Sequence, residues 1–273
     1  MKKRKMSNLW GITAIILLIG SILLLLYPTA SKVINQITAN ATINRFNQAV
    51  DVISENVHVD DTNNQPSESR SNTETYTKKN NQITDYNNQI VTTSEYSISV
   101  QDIEALYRDS QRYNDRLKQQ QSFDEVDFSV SALNLYDYGI YNGIYGYISI
   151  PHIDLQMPIL LGSSRNNMAV GVTHLYATSL PLGGKDTNCV LSGHTGATGK
   201  IFFDDIPSLP IGSVITVTTF FGSLNYQVNE IKKIDITQTN DLFIEKGRDK
   251  LTLLTCADGG IRRWQVSCTR IGG

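Results

Sequence analysis

The sequence Lys250-Leu251-Thr252-Leu253-Leu254-Thr255-Cys256 is the stretch from which both a fold and a chemistry can be predicted. Its apolar and β-branched residues predict a β-strand, and the Asp258-Gly259-Gly260 that follows predicts the turn that ends it. A second apolar run, residues 264–269, begins directly after Arg262 and Arg263. We therefore expect a hairpin that brings a guanidinium group back beside the Cys256 thiol at the end of a rigid strand.

His194 lies in a similar place, because the apolar run Cys189-Val190-Leu191 gives way there to the loop Ser192-Gly193-His194-Thr195-Gly196. A thiol nucleophile needs thiolate character and a proton carrier, and an acyl intermediate needs a positive group for its oxyanion. Taken singly, each residue also has a structural interpretation as core filler, satisfied polar group or solvated side chain. Together, Cys256, His194 and Arg263 favour a catalytic site for acyl transfer.

The motif Thr252-Leu253-Leu254-Thr255-Cys256 matches the TLxTC signature of the sortase family, and Arg263-Trp264-Gln265-Val266 with Arg270-Ile271 resembles the final strand of that family. Residues 146–153 resemble its opening strand. Residues 171–174 and 178–184 resemble a pattern of the pilus-type, class C sortases. The resemblance covers about residues 98–271. It implies an all-β fold, a closed eight-stranded barrel with short helices, and a cysteine transpeptidase whose catalytic residues are Cys256, His194 and Arg263.

The resemblance also implies a substrate. Cys256 is expected to attack an LPxTG-like sorting signal and form a thioacyl-enzyme, His194 to exchange protons with the amines, and Arg263 to bind the oxyanion. The expected acceptor is a pilin lysine, as in pilus polymerisation. The alternative is a housekeeping-type enzyme that anchors surface proteins to a cell-wall precursor. The short Cys256–Arg263 connection departs from class C, and the single apolar segment, near the N-terminus, suits a class A-like enzyme equally.

Two adjacent arginines leave a choice, because neighbouring residues on a strand face opposite ways. The spacing of Arg263, Val266, Arg270 and Ile271 favours Arg263 over Arg262.

A segment rich in Tyr and Asp, residues 121–145, occupies the place where class C sortases carry a lid with an Asp-Pro-aromatic motif. No proline follows Asp124 or Asp127 in this sequence. Asp127 and Phe128 are nevertheless the candidate lid residues, with the carboxylate on the catalytic arginine and the ring over the thiol. An ordinary connecting loop is the alternative interpretation.

The rest of the chain divides by composition. Residues 1–8 form a basic tail, predicted to be cytoplasmic, and residues 9–27 an uncharged segment long enough to cross a bilayer as a signal anchor. A cleaved signal peptide is the alternative, and both export the catalytic domain. In residues 28–97 we expect an extracellular amphipathic helix from Ile43 and then a flexible stalk rich in Asn, Gln and Ser. The family implies a Gram-positive-type cell envelope.

Residues 98–145 hold a helix, opened by Ser99 and Asp102 as a variant of the capping box, and then the possible lid. From residue 146 to residue 273, seven short apolar runs alternate with Gly- and Pro-containing turns. Closure of these strands into the barrel is the economical architecture, because it removes exposed strand edges.

Composition narrows the function classes. A net charge of −2 gives no reason to expect nucleic acid as a partner. The three cysteines contain no CxxC pair, so we expect neither a thiolate metal site nor a cofactor. In the strand order of the family, Cys189 and Cys268 lie two strand spacings apart, beyond the reach of a disulfide, and we expect both to be buried and inert. For His174 we expect a structural hydrogen-bonding role.

Residue spacing and order disfavour two other enzyme classes, and a non-enzymatic function is the remaining alternative. An L,D-transpeptidase carries its arginine two positions after the cysteine, where this chain has Asp258, and a papain-like hydrolase usually places its cysteine before its histidine. The non-enzymatic alternative is a stalked surface β-domain whose cysteines only fill the core.

Overall fold

The computed structural model describes residues 2–60, 83–85, 90–196 and 202–272. Its helices and strands, in chain order, are α1 (Lys2–Asp60), β1 (Ile83–Asp85), β2 (Ile90–Thr92), β3 (Ser97–Ser99), α2 (Val100–Gln119), β4 (Ile144–Ile150), β5 (Leu155–Leu161), α3 (Arg165–Val170), β6 (Val172–His174), β7 (Thr187–Ser192), β8 (Val214–Thr219), β9 (Gly222–Asp235), β10 (Asp249–Ala257) and β11 (Arg262–Ile271).

Eight of these strands close into a barrel in the order β10-β11-β9-β8-β4-β5-β6-β7. This confirms the predicted closed eight-stranded barrel. The apolar runs of the sequence correspond to seven of the strands, whereas β6 is only three residues long and carries no such run. Neighbouring strands are antiparallel except at two places, where β5 pairs with β6 and β7 pairs with β10 in parallel.

Side chains of alternating positions separate the inside of the barrel from its outer wall. Leu251 and Leu253 of β10 belong to the interior core, together with Val266 and Cys268 of β11. Leu254 has the opposite parity and belongs to a different apolar cluster, on the outer wall. Cys256 shares the parity of Leu254, so its position on the strand places it on the outer wall.

The predicted burial of two cysteines is confirmed by the structure. Cys189 of β7 and Cys268 of β11 are both buried free thiols, and both pair with Leu251 of β10, one from each side. One strand therefore separates them, as predicted, and no disulfide joins them. Burial raises the pKa of Cys189 well above its usual range and that of Cys268 to about 12.

Helix α1 is continuous from Lys2 to Asp60 and so includes the predicted basic tail and the predicted membrane segment, whose boundaries at residues 8 and 27 stay predictions. Over the described residues, no single helix passes as a membrane span by length and apolarity; the segments Ile12–Tyr27 and Thr29–Ser54 pass only as a pair bent by 42°. The bend coincides with Pro28, a residue that kinks helices.

The second half of α1 packs on the barrel. Ala39 enters the interior core at the side of β5, and Phe46 is fully buried against Phe220 and Tyr147. The side-chain amide of Gln36 donates a hydrogen bond to the Asp154 carbonyl oxygen at 3.3 Å. The predicted amphipathic pattern that begins at Ile43 is therefore the face of α1 that contacts the barrel.

Helix α2 begins with the predicted capping box. The Ser99 hydroxyl accepts from the Asp102 backbone N–H, and the Asp102 carboxylate accepts from the Ser99 backbone N–H. On its buried face, Ser110 and Tyr145 share a hydrogen bond of 2.9 Å, and Asn114 exchanges two with the Leu180 backbone. This face fixes α2 on the barrel beside the segment that leads to β7.

Strands β1, β2 and β3 form a small antiparallel sheet. Two of them, β1 and β2, fall within the segment predicted to be a flexible stalk. Residues 61–82 and 86–89 of that segment lie outside the described residues, and the stalk as a whole stays a prediction.

Candidate active site

The hairpin β10–β11 places an arginine opposite the conspicuous cysteine. Its antiparallel register pairs Cys256 with Arg263 and Ala257 with Arg262. Directly opposed residues of an antiparallel pair project from the same face of the sheet, so Arg263 shares the outer wall with Cys256 and Arg262 does not. The tight connection Asp258–Gly260 has positive φ at all three positions, 51°, 68° and 96°, a conformation that the two glycines adopt without steric cost.

His194 follows the parallel neighbour of β10. Strand β7 is in register with β10 up to the pair Ser192–Leu254. Beyond it, the Gly193 N–H donates to the Leu254 carbonyl at 3.0 Å, and the Gly193 carbonyl accepts from the Thr255 hydroxyl at 2.8 Å. The two strands therefore stay joined up to the residue before His194, which lies at the same end of the barrel as Cys256.

The contact between the ends of β7 and β10 explains why Thr255 and Gly193 occupy their positions in the two sequence motifs. The side chain of Thr255 is buried and holds the Gly193 carbonyl, which accounts for a hydroxyl directly before Cys256. A Cβ on Gly193 would lie 2.8 Å from the Phe203 ring, so only glycine fits between the ring and the strand. Both residues fix the backbone that carries His194.

The three predicted residues differ from the core in exposure. Cys256, His194 and Arg263 are each partly exposed, whereas Cys189 and Cys268 are buried. The imidazole of His194 contacts the Phe202 ring edge-to-face, with 5.6 Å between the ring centroids. The thiol, the imidazole and the guanidinium thus lie at the ends of three neighbouring strands, on a surface that a ligand can reach.

The acidic side chain nearest to Arg263 in the sequence is paired with other basic residues. Asp258, the nearest acid in sequence, is bound by Lys233 at 2.9 Å and by Arg262 at 3.1 Å, and the hydrogen bond from Lys233 lowers the pKa of Asp258. The Arg263 guanidinium donates to the carbonyls of Gly260 and Arg262 at 2.8 and 2.9 Å. Within the described part of the chain, no acidic side chain forms an ion pair with Arg263.

An apolar surface adjoins the three residues on the outer wall. Its buried members come from β7, β9, β10 and two connections: Leu175, Val190, Ile234, Leu242 and Leu254. The connection between β9 and β10 is held down by the buried side-chain amide of Asn188. That amide donates to the carbonyls of Asp241, Leu242 and Phe243 at 3.1 to 3.3 Å. We call this surface the outer apolar surface.

The segment that contains the candidate lid residues packs on the outer apolar surface through Phe123 and Phe128. The two rings are 6.0 Å apart, and Phe123 also contacts Phe243 at 4.5 Å. Phe128 is therefore in a cluster with Leu254, two residues before Cys256 in the same strand. The backbone carbonyl of Phe128 accepts from the Ser163 N–H at 2.7 Å, which attaches the segment to the end of β5.

The expected contact between Asp127 and the arginine is absent from the described residues. The exposed Asp127 carboxylate instead accepts from the backbone N–H and the hydroxyl of Ser129, at 2.9 and 2.7 Å, and these bonds lower the pKa of Asp127. This local turn satisfies the Asp127 carboxylate without Arg263.

His174 has the structural role expected for it. It is fully buried, and its Nε2 lies 3.0 Å from the Thr178 carbonyl and 3.1 Å from the Ser179 carbonyl. Burial lowers the pKa of His174 to about 4. A proton carrier must exchange protons near neutral pH and reach a substrate, and His174 does neither.

The sequence reasoning missed Asn188, Phe202 and Asp204. Each acts through tertiary contacts, and no motif or spacing in the sequence marks them. A resident metal site was not expected, and the described residues contain no cluster of three or more His, Cys, Asp or Glu side chains that could hold one.

Comparison with known proteins assigns the family. A model of the sortase domain matches residues 148–270. The crystal structure of Streptococcus agalactiae sortase C1 in complex with MTSET is 30% identical in sequence, with a TM-score of 0.58, and the match covers 64% of this chain and 93% of that one. The chain belongs to the sortase family. Members of this family are cysteine transpeptidases.

Other sortases are similar to a comparable degree. Sortase C-1 from Streptococcus pneumoniae is 30% identical with a TM-score of 0.57, and the match covers 64% of this chain and 93% of that one. Sortase A from Bacillus anthracis is 28% identical over 113 residues, or 41% of this chain and 52% of that protein. This sortase chain spans about half the length of the curated relatives it matches.

Proposed function

We propose that this sortase is a membrane-anchored, extracellular enzyme of the class C type. It cleaves an LPxTG-like sorting signal through a thioacyl-enzyme on Cys256 and joins the acyl part to an amine, a pilin lysine. The observation that carries the proposal is the strand register: Cys256 is paired with Arg263, while the hydrogen bonds of Gly193 hold His194 beside the end of the same strand.

The reaction follows from these positions. The Cys256 thiolate attacks the peptide carbonyl carbon, and the C–N bond breaks as His194 protonates the leaving amine. The incoming amine then attacks the thioester, loses a proton to His194 and releases the thiolate. Arg263 donates hydrogen bonds to the oxyanion of both tetrahedral intermediates. Its charge is not neutralised by a carboxylate among the described residues, which supports this role.

The class C assignment is supported by the solved structures that this chain resembles, which include sortases C1 of two streptococci. It is also supported by a segment in the place of a lid. We assign that role to residues 121–130, whose Phe123 and Phe128 rings cover the outer apolar surface next to Cys256. An incoming sorting signal competes with these rings, so the lid opens to admit substrate.

A wall-anchoring function of the housekeeping type is the second candidate. Two observations favour it: only the tight turn Asp258–Gly260 and Ile261 separate β10 from β11, and curated relatives that the chain matches include three named sortase A. The two functions share the acyl-enzyme and differ in the acceptor amine.

Membrane anchoring is supported by the first part of α1. The large apolar side chains between Ile12 and Tyr27 are exposed, most of them to more than half of their surface, and so make a continuous unpacked apolar stretch. Such a stretch marks a membrane or protein contact. The basic residues 2–5 before it support a topology with the N-terminus in the cytoplasm and the barrel outside, in a Gram-positive-type envelope.

The test offers the full chain in detergent a panel of LPxTG-type peptides with lysine and oligoglycine acceptors, and identifies ligated products by mass spectrometry. A lysine-linked product that Cys256→Ala abolishes and Cys268→Ala retains supports the class C function. A product with oligoglycine alone selects wall anchoring. No product with any acceptor, together with equal inertness of all three thiols to alkylation, overturns the enzymatic proposal in favour of a surface β-domain.

A further inference from the structure

The connection from β7 to β8 is closed by a carboxylate. Asp204 Oδ1 accepts from the Gly196 backbone N–H at 2.6 Å and lies 3.5 Å from the Thr195 hydroxyl. Asp204 Oδ2 accepts from the Phe202 backbone N–H at 3.3 Å. A single side chain therefore joins the two ends of the connection, directly after His194 and directly before the ring that contacts it. Residues 197–201 lie outside the described residues.

The same connection holds His194 from two other sides. The His194 carbonyl accepts from the Phe203 N–H at 2.9 Å, and the imidazole contacts the buried Phe202 ring. The returning chain thus fixes both the backbone and the ring of His194. Asp204 adds the side-chain hydrogen bonds that join this returning chain to Gly196.

We propose that Asp204 is a positioning residue for His194, acting through the Gly196 and Phe202 backbone bonds that hold the Phe202 ring against the imidazole; this inference rests on the proposed function. Asp204 touches neither the imidazole nor Cys256. Hydrogen bonds from backbone N–H groups to a carboxylate are about twice as strong as neutral ones, and so suit the fixing of a short connection. Proton transfer to an amine depends on the imidazole orientation that this network sets.

A matched set of variants isolates this effect. Asp204→Ala removes both acceptors, and Asp204→Asn keeps one oxygen of the two. Asp205→Ala is the control, because it removes the exposed neighbouring carboxylate. Phe202→Leu provides the reference state in which the ring contact is lost.

The first readout requires no turnover. In the full chain with labelled histidines, the ring resonances of His194 are assigned by their loss in His194→Gln, among the four histidines of the sequence. We expect Asp204→Ala to move them most of the way toward their position in Phe202→Leu, and Asp204→Asn to move them less. The resonances of His174 and His152 stay in place. A His194 signal that does not move in Asp204→Ala overturns the inference, whether or not the chain proves to be a transpeptidase.

The second readout separates positioning from general stability. We expect Asp204→Ala to lower kcat for ligation about tenfold while the KM for the sorting peptide changes by less than about twofold. Asp204→Asn recovers part of the loss, and Asp205→Ala matches the wild-type protein. A rise in KM in proportion to the fall in kcat, or an equal loss in Asp205→Ala, contradicts the inference.

Discussion

The inside of the barrel and its outer wall both carry thiols, in opposite surroundings. Cys189 and Cys268 flank Leu251 in the interior, where burial raises their pKa values and excludes reagents. Cys256 lies five residues further along the same strand as Leu251 and, by its parity, on the other face, partly exposed and opposite Arg263. The alternation of side chains along β10 thus places Leu251 in the packed interior and Cys256 on the outer wall.

The same contrast holds for the histidines. His174 ends β6 inside the protein and His194 follows β7 at the surface. Residue type alone therefore does not distinguish the catalytic candidates in this sortase. Their position relative to the outer wall does, and the following predictions change one member of each contrasting pair.

The largest expected effect is on ligation by the two kinds of cysteine. We expect Cys256→Ala to lower the ligation rate by at least about a thousandfold, because the nucleophile is lost. Cys189→Ala is expected to retain ligation and to lose about 1–2 kcal/mol of unfolding free energy through the small cavity it leaves. Product formation by mass spectrometry and urea denaturation measure the two effects. Ligation that survives in Cys256→Ala contradicts the assignment of the nucleophile.

The next effect concerns stability and the buried histidine. The pKa of His174 is lowered from 6.5 to about 4, so the unfolded chain takes up the proton first as pH falls. The stability linked to neutral His174 is complete above pH 6.5 and is lost as pH falls toward 4, by up to about 3 kcal/mol. Denaturation curves of wild-type protein and His174→Gln, measured across this range, give the difference.

In this experiment His152→Gln is the control, since His152 is exposed, and its curve follows the wild-type slope. A wild-type slope equal to that of His174→Gln refutes the prediction.

The adjacent arginines are expected to differ in turnover. We expect Arg263→Ala to lower kcat about a hundredfold, the usual size of the loss when an oxyanion donor is removed. Arg262→Ala removes only the exposed ion pair with Asp258, and kcat should change by less than about threefold. Steady-state kinetics with the sorting peptide measure both variants. A larger loss of kcat in Arg262→Ala than in Arg263→Ala would identify Arg262 as the oxyanion donor. It would contradict the inference drawn from the Cys256–Arg263 strand pair.

The smallest effect concerns the covering of the outer wall. Phe128→Ala removes a ring that covers the outer apolar surface. Because this weakens the covering beside Cys256, we expect a bulky reagent to alkylate Cys256 about threefold to tenfold faster. Val130→Ala, at the exposed end of the same segment, should leave the rate unchanged. Mass spectrometry of alkylated protein over time gives the rates. Equal rates in wild-type protein and Phe128→Ala remove the support for a lid.

Local sequence patterns predicted those elements whose conformation depends mainly on neighbouring residues. The run that ends at Cys256, the turn at Gly259 and Gly260, and the capping box at Ser99 each follow from neighbouring residues, and the family resemblance supplied the barrel. Strand β6 escaped prediction because its three residues carry no periodic signal. Its formation depends on pairing with β5 and β7.

The contacts of the candidate site were less predictable, because they join residues that are distant in the chain. The buried amide of Asn188 binds a connection more than fifty residues away, and Asp204 acts across a segment that no motif marks. Asp127 is bound by Ser129 and not by Arg263 in this structure, and its role in a lid stays a prediction. Helix α1 continues through Pro28 with a bend, and the predicted end of the membrane segment at residue 27 stays a prediction.

The parallel pairing of β7 with β10 has a consequence for the folding of the chain. Gly193 and Leu254 are about sixty residues apart in the chain, and the pairing of their strands closes the ring of the barrel. Pairings of such sequence separation form late in folding. A chain in which this pairing has not yet formed therefore carries the Cys256 thiol without His194 beside it, and the two groups come together only when the barrel closes.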